Sequence, residues 1–237
     1  MTLRVFIGWD RREAEAARVA AKTLYCKSRI TPEFLCLDRL RDAGLLTRIA
    51  DRRSAESHYS HYDLVSNANA STDFAISRFL TPILRQEGFA LFTDCDVLFL
   101  RNPLEMMLTV DPKHAVSVVK HKYEPVEASK MDGQLQVAYP RKNWSSVILW
   151  NTDHPANRRL TLHDVNTRPG LWLHQFGWLH DDEIGELTPE WNWLVNVQPK
   201  PAFPGIAHFT LGGPFTPGWK PSEHDQLWKD AARELHD

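Results

Sequence analysis

The chain has 237 residues, 43% of them hydrophobic and 24% charged, a length and balance that exclude a disordered polypeptide and predict a packed core in a single domain. Lys and Arg total 28 against 30 Asp and Glu, a formal charge of −2, so the basic field that nucleic-acid binding draws on is missing and no nucleic-acid partner is expected. Cys26, Cys36 and Cys95 are too few and too unevenly spaced for a disulfide framework or a zinc cluster. With no signal-peptide pattern behind Met1 and no apolar run of about 18 residues, the expectation is a soluble, cytoplasmic protein, peripheral membrane contact left open and oligomeric state unspecified.

Leu3, Val5, Phe6 and Ile7 read as a buried first strand ended by Gly8. Asp10 and Glu13 follow at capping-box spacing, and Ala16, Val19, Ala20, Thr23 and Leu24 then fall on one face of a helix. A second helix is expected from about Ser71 or Thr72, carrying Phe74, Phe79 and Leu80, with Pro82 kinking or shortening it. Phe89–Thr93 reads as a buried strand, and Val97–Leu100, Ala115–Val119, Ser145–Trp150 and Ile206–Phe209 as further strands between Pro-, Asn- and Asp-rich stretches. Early alternation of strands and helices predicts an α/β fold, a mixed central sheet flanked by helices. Residues 1–101 would form a nucleotide-binding half and residues 102–237 a half that shapes a substrate cleft, in one domain.

The run from Phe89 to Leu100 is apolar except where Thr93 leads into Asp94 and Asp96. Buried carboxylates need a cation, strong hydrogen bonds or a solvent-facing strand end. At i and i+2 of an extended segment both side chains lie on one face, where a divalent ion can take an oxygen from each; an Asp-capped turn is the plainer alternative. His208, at the end of a late strand, can complete an Mn²⁺ or Mg²⁺ site, and Gly212 and Gly213 behind it leave backbone N–H groups able to approach phosphate. Gly8, Trp9 and Asp10 stand at the carboxyl end of the first strand, where open α/β sheets bind nucleotides, so Trp9 can flank a base and Asp10 face base or ribose; Asp10 is equally a helix N-cap. Eight of the nine Trp residues lie from Trp144 onward, which suits either sugar stacking or core packing. His58 and His61 read as surface polar residues.

The order of Val5–Asp10, Phe74–Phe79 with Pro82, Ala90–Phe99, Ser146–Asn151, Pro189–Asn192 and His208–Gly213 resembles the GT-A nucleotide-sugar glycosyltransferases, and within them the retaining family 8 of glycogenin and the lipopolysaccharide galactosyltransferases. The resemblance runs from Val5 to about Lys220. It implies that Asp94, Asp96 and His208 bind Mn²⁺ bridging the diphosphate of a UDP-sugar, and that Arg78 contacts the donor. It further implies a carbohydrate or glycoconjugate acceptor, with Asn151, Trp191 and Asn192 lining the cleft where donor sugar meets acceptor. A retaining outcome requires a carboxylate near the anomeric carbon. Asp181 and Asp182 are the candidates, Asp182 first, because they precede Pro189–Asn192 as the family's Asp-Gln pair precedes its acceptor region; an acidic helix start is the alternative. The family's His-x-x-Gly-x-x-Lys-Pro-Trp motif is altered here: Trp219-Lys220-Pro221 comes in another order and at a longer spacing, so the resemblance does not assign its phosphate-contacting Lys.

No G-x-G-x-x-G follows the first strand, and no P-loop, His-Glu-x-x-His or Gly-x-Ser-x-Gly is present, which disfavours a dinucleotide oxidoreductase, a P-loop kinase, a zincin and an α/β hydrolase. The rival to a transferase is a non-catalytic nucleotide-sugar or glycan-binding protein on the same fold.

Overall fold

The computed structural model describes residues 2–52, 59–121, 141 and 143–236. In chain order the strands are β1 Leu3–Trp9, β2 Glu33–Cys36, β3 Ala50–Asp51, β4 His61–Asp63, β5 Ala68–Ala70, β6 Phe89–Thr93, β7 Val97–Phe99, β8 Val116–Val118, β9 Val147–Asn151, β10 Ile184–Glu186, β11 Trp193–Leu194 and β12 Ile206–His208. The α-helices are α1 Ala14–Ser28, α2 Leu37–Asp42, α3 Thr81–Leu84, α4 Leu162–Thr167, α5 Gly170–His174 and α6 Asp225–His236.

The main sheet has six strands in the order β10-β8-β9-β6-β1-β2. β6, β1 and β2 are mutually parallel, and β8 and β10 are parallel to each other, while β9 is antiparallel to both β6 and β8. The carboxyl ends of β1, β6, β8 and β10 therefore share one edge, and the carboxyl end of β9 lies at the other. Strands from both halves of the chain build this sheet, so Phe6, Phe92 and Trp150 pack in one apolar core. A smaller sheet, β11-β12-β7, takes the chain over just beyond Asp94 and Asp96, and its antiparallel β12–β7 register sets His208 opposite Val97. One short turn thus carries the chain between sheets, and that hand-over brings the distant His208 to the two acids.

The expected apolar face of α1 is the buried one: Ala16, Val19, Ala20, Thr23 and Leu24 all lie inside. Full burial stabilises by roughly 1.5–3 kcal/mol for each large aliphatic side chain such as Val19 and Leu24, and the Thr23 hydroxyl accepts the Phe99 N–H at 3.1 Å, tying the helix to β7. The helix expected from Ser71 starts later. A 3₁₀ turn at Ser77–Leu80 runs into α3, and Pro82 sits in the first turn of α3, where its missing N–H costs nothing. At Gly8 an added Cβ would lie 2.4 Å from the Phe74 ring, so the glycine makes room for that ring.

His61 corrects the surface expectation. It is buried in the β3–β4–β5 sheet, with Nδ1 3.2 Å from Ser60 Oγ and 3.9 Å from Asp73 Oδ1. Burial opposes the charge on Asp73, but the His61 and Ser60 contacts and Arg52 outweigh it and hold its carboxyl below the usual range. His58 lies outside the described residues, as does most of the segment between His121 and Asn143.

Candidate metal centre and active site

Asp94 and Asp96 leave β6 at the carboxyl edge of the main sheet, anchored by backbone hydrogen bonds from Asp94 N–H to Ser146 O and from Phe209 N–H to Asp96 O, both 2.9 Å. One ligand atom from each of Asp94, Asp96 and His208 lies within 4.8 Å of the others, and this is the one such cluster of His, Cys, Asp and Glu among the described residues. His208 Nε2 stands 3.3 Å from Asp96 Oδ1 and 3.9 Å from Asp94 Oδ2. Asp96 Oδ1 is buried without a hydrogen-bond partner, and the buried Asp94 Oδ1 is ion-paired to Arg78 Nη1 at 2.8 Å. That nitrogen is directed at the Ser145 carbonyl, 2.7 Å away. Asp96 Oδ1 and Asp94 Oδ2 beside His208 Nε2 form a donor set that fits a divalent cation of the Mn²⁺ or Mg²⁺ kind.

The electrostatics follow from burial. Desolvation pushes the Asp94 carboxyl up to about 6, against the pull of Arg78 and His208. For Asp96 desolvation is outweighed by His208, which holds it below its ordinary value, and burial of His208 is outweighed in turn by Asp96 and Asp94, which raise the imidazole. A further acid stands behind them: Glu13 meets the Cys95 thiol at 3.0 Å and is pushed up to about 7 by burial and by the charge of Asp96.

Arg78 is buried, its guanidinium over the rings of Phe74 and Phe92 at 5.3 and 5.0 Å, and it is engaged with Asp94 and Ser145. Asp10 is fully buried and committed: it caps the turn at Arg12 N–H, pairs with the Arg12 guanidinium and accepts the Asp73 N–H at 3.0 Å. That is its capping role, with no carboxylate oxygen left facing out of the sheet. Trp9 is half-buried, edge-on to Phe34, at the carboxyl end of β1. Gly212 and Gly213 spend their N–H groups within the turn, on Phe209 O at 2.7 Å and Thr216 Oγ1 at 3.1 Å.

Several expected cleft residues stand elsewhere. Asn151 pairs with Phe89, the first residue of β6, whereas Asp94 follows the last; its amide is used on Pro112 and His114 carbonyls, so it does not line the cleft. Trp191 is buried in the core, with Arg101 over its ring at 4.9 Å. Asn192 is fully buried and touches His208 rather than open space. Asp181 and Asp182 are exposed and lead into β10, whose first residue is in register with Val116 and so, through Trp150, with Ala90. The register puts them at the amino edge of the sheet, opposite Asp94. Asp181 pairs with Arg141, and Glu183 with Arg159.

The sequence reading missed Glu13 as a site residue and three others: His174, His121 and Ser145. His174 Nδ1 is 2.7 Å from Ser145 Oγ, and burial, with Arg78 adding to it, lowers its pKa to about 3. His121 is lowered to about 4 by burial and then by His208. Both are neutral imidazoles beside the charged cluster. Each is a lone polar residue without a spacing signature, so no signal in the sequence marks them.

No protein-family model matches the chain. Among solved structures it is similar to the galactosyltransferase LgtC in complex with donor and acceptor sugar analogues, with 14% identity, 99% of this chain and 96% of that one covered, and a TM-score of 0.56. It is similar also to mouse xyloside xylosyltransferase 1 in its apo form (13% identity, 88% and 98% covered, TM-score 0.52) and to the glycosyltransferase GlyE of Streptococcus pneumoniae TIGR4 (11% identity, 98% and 60% covered, TM-score 0.56). At these identities the likeness is one of fold, and the fold is that of the GT-A glycosyltransferases, the family 8 type included. In sequence the chain is 39% identical over 241 residues to Protein CDI of Arabidopsis thaliana, covering 98% of this chain and 87% of that protein. It belongs to the family of Protein CDI. No helix among the described residues is long and apolar enough to cross a membrane.

Proposed function

We propose that this protein is a metal-dependent glycosyltransferase that moves a sugar from a nucleoside diphosphate sugar, UDP-linked, to a carbohydrate or glycoconjugate acceptor. The observation that carries the reading is the Asp94–Asp96–His208 cluster at the carboxyl edge of the sheet, with the buried Asp96 Oδ1 left without a hydrogen-bond partner beside His208 Nε2. These three residues would hold the Mn²⁺ or Mg²⁺. When bound, such an ion supplies positive charge where the departing diphosphate gains negative charge. Arg78 holds Asp94 in place and keeps a second positive charge behind it, in a site whose burial strengthens both. The base would lie over the carboxyl end of β1, against Trp9. The fold it shares with LgtC, whose structure holds donor and acceptor sugar analogues, supports a two-substrate reaction.

Retention is the stereochemical outcome that the family 8 resemblance supports, and the exposed Asp181–Asp182 pair, at the other edge of the sheet, is given no part in it. The test is release of UDP from a panel of UDP-sugars with and without Mn²⁺, followed by NMR of the product's anomeric configuration. Mn²⁺-dependent release supports the transferase. UDP-sugar binding without any release, with every donor and a broad set of acceptors, would reduce the protein to a binding module, and an inverted product would remove retention.

A further inference from the structure

The hydrogen bonds behind His208 run in one direction. His208 Nδ1 lies 2.9 Å from Asn192 Oδ1, and Asn192 Nδ2 lies 2.9 Å from both Ser146 Oγ and His121 Nε2. A primary amide taken alone can be turned over, exchanging oxygen for nitrogen, and its orientation is set by its neighbours. Ser146 sets it here. The Ser146 hydroxyl donates its single proton to the Asn143 carbonyl at 2.8 Å, so toward Asn192 it can only accept. The amide NH₂ therefore faces Ser146 and His121 Nε2, which accepts with the His121 proton on Nδ1, where the Gln198 amide stands 3.1 Å away and can turn its oxygen to receive it, and the Asn192 amide oxygen faces His208. An oxygen there accepts only if His208 Nδ1 carries a proton. In the neutral imidazole Nε2 then carries the lone pair, and Nε2 is the atom beside Asp96 Oδ1 and Asp94 Oδ2. Three acceptors converge on one point, an arrangement that only a cation or a shared proton relieves.

We infer that Asn192, oriented by Ser146, is a positioning residue that fixes His208 in the Nδ1–H tautomer and so presents Nε2 as a ligand beside Asp94 and Asp96. The inference rests on the metal site proposed above and extends it to a fully buried amide with no view of the cleft. A metal-bound histidine ordinarily donates its other ring N–H to an acceptor that fixes ring and tautomer, and removing that acceptor weakens metal binding about 10–100-fold. Asn192 lies immediately before β11, whose Leu194 pairs with His208, so the same strand pairing that places the histidine places its acceptor.

The experiment uses the full chain stripped of metal, with Mn²⁺ itself as the calorimetric probe. Asn192→Leu, which keeps the volume but has no acceptor, should bind Mn²⁺ about 10–100-fold more weakly than wild type. Asn192→Asp still accepts at Nδ1 and should stay within about threefold. A purely structural role predicts the reverse, since Leu is at home in a buried position and an added carboxylate is not. The second readout is the ring-proton position, from long-range ¹H–¹⁵N spectra of the metal-free chain at a pH where His208 is neutral. Wild type should show the Nδ1–H form and Ser146→Ala a mixture, because the freed amide can turn over. Asn192→Leu binding Mn²⁺ as wild type does, Asn192→Asp losing as much as Asn192→Leu, or an Nε2–H wild type would each overturn the inference. If Asn192→Leu fails to fold, the Ser146→Ala spectrum decides. Should wild type bind no Mn²⁺ while the tautomer is as stated, the metal reading falls and the Ser146–Asn192–His208 relay stands.

Discussion

Replacing Arg78 with Met removes the positive charge that faces Asp94 and keeps much of the side-chain volume over Phe74 and Phe92. Both partners are largely buried, with side-chain exposures of 6% and 16%, so the pair is one whose breakage strands a charge. Such a change costs about 3–5 kcal/mol, and the remaining solvent access of Asp94 places the expectation near 3. The carboxyl already sits at about 6 in the folded protein, above its unfolded value of roughly 3.9, because burial opposes its charge. Without Arg78 it rises further. The added instability therefore exists only where wild-type Asp94 is charged, and it fades as the pH falls through about 6 and both proteins become protonated there. For a chain of this size about 3 kcal/mol corresponds to a fall in Tm of roughly 6–12 °C. Thermal unfolding followed by circular dichroism, metal-free, should show that fall at about pH 8 and less than half of it at about pH 5. An equal fall at both would mean that packing against the aromatic rings, and not the charge, is what Arg78 contributes.

Asp182→Asn should leave Mn²⁺ affinity and kcat within about threefold of wild type, measured by calorimetry and UDP release, because the register sets it at the opposite edge of the sheet; a hundredfold loss of kcat with donor binding intact would return it to the reacting face. Gly8→Ala drives a methyl into the Phe74 ring and should cost about 1–3 kcal/mol by urea unfolding; an unchanged midpoint would show that the ring moves freely. Arg48→Met breaks a buried pair with Asp63 and orphans the carbonyls of Val165 and Arg168, so about 3–5 kcal/mol should be lost with Mn²⁺ affinity unaltered once folded; a loss below 1 kcal/mol would refute the reasoning.

What was legible in the sequence was whatever rests on local pattern. The apolar runs of β1, β6, β9 and β12 and the one-sided face of α1 announce themselves, and so do two acids set in an apolar run. β10 escaped because Ile184-Gly-Glu186 is three residues long with one large apolar side chain. The short hairpin that buries His61 has no apolar run at all. Strand direction is the larger gap. Asn151 ends an inner strand, but β9 runs antiparallel, so its end points away from the site, and nothing in Ser146–Asn151 records that. Asp181 and Asp182 stand away from Asp94 for the same reason: they precede a strand whose direction is fixed only by pairing with β8. Asn192 reads from the sequence as a cleft-lining residue, whereas it is fully buried behind His208, because an amide's role depends on which hydroxyl and imidazole it meets in three dimensions.

The metal centre is the claim on which the rest depends, and calorimetric titration of Mn²⁺ into the UDP-saturated protein, wild type beside Asp96→Ala, tests it directly. Wild type should bind one Mn²⁺ per chain and Asp96→Ala should bind it at least about tenfold more weakly, since the substitution removes one of the three side chains of the proposed site. Undiminished binding in Asp96→Ala, or no binding in wild type, would contradict the account.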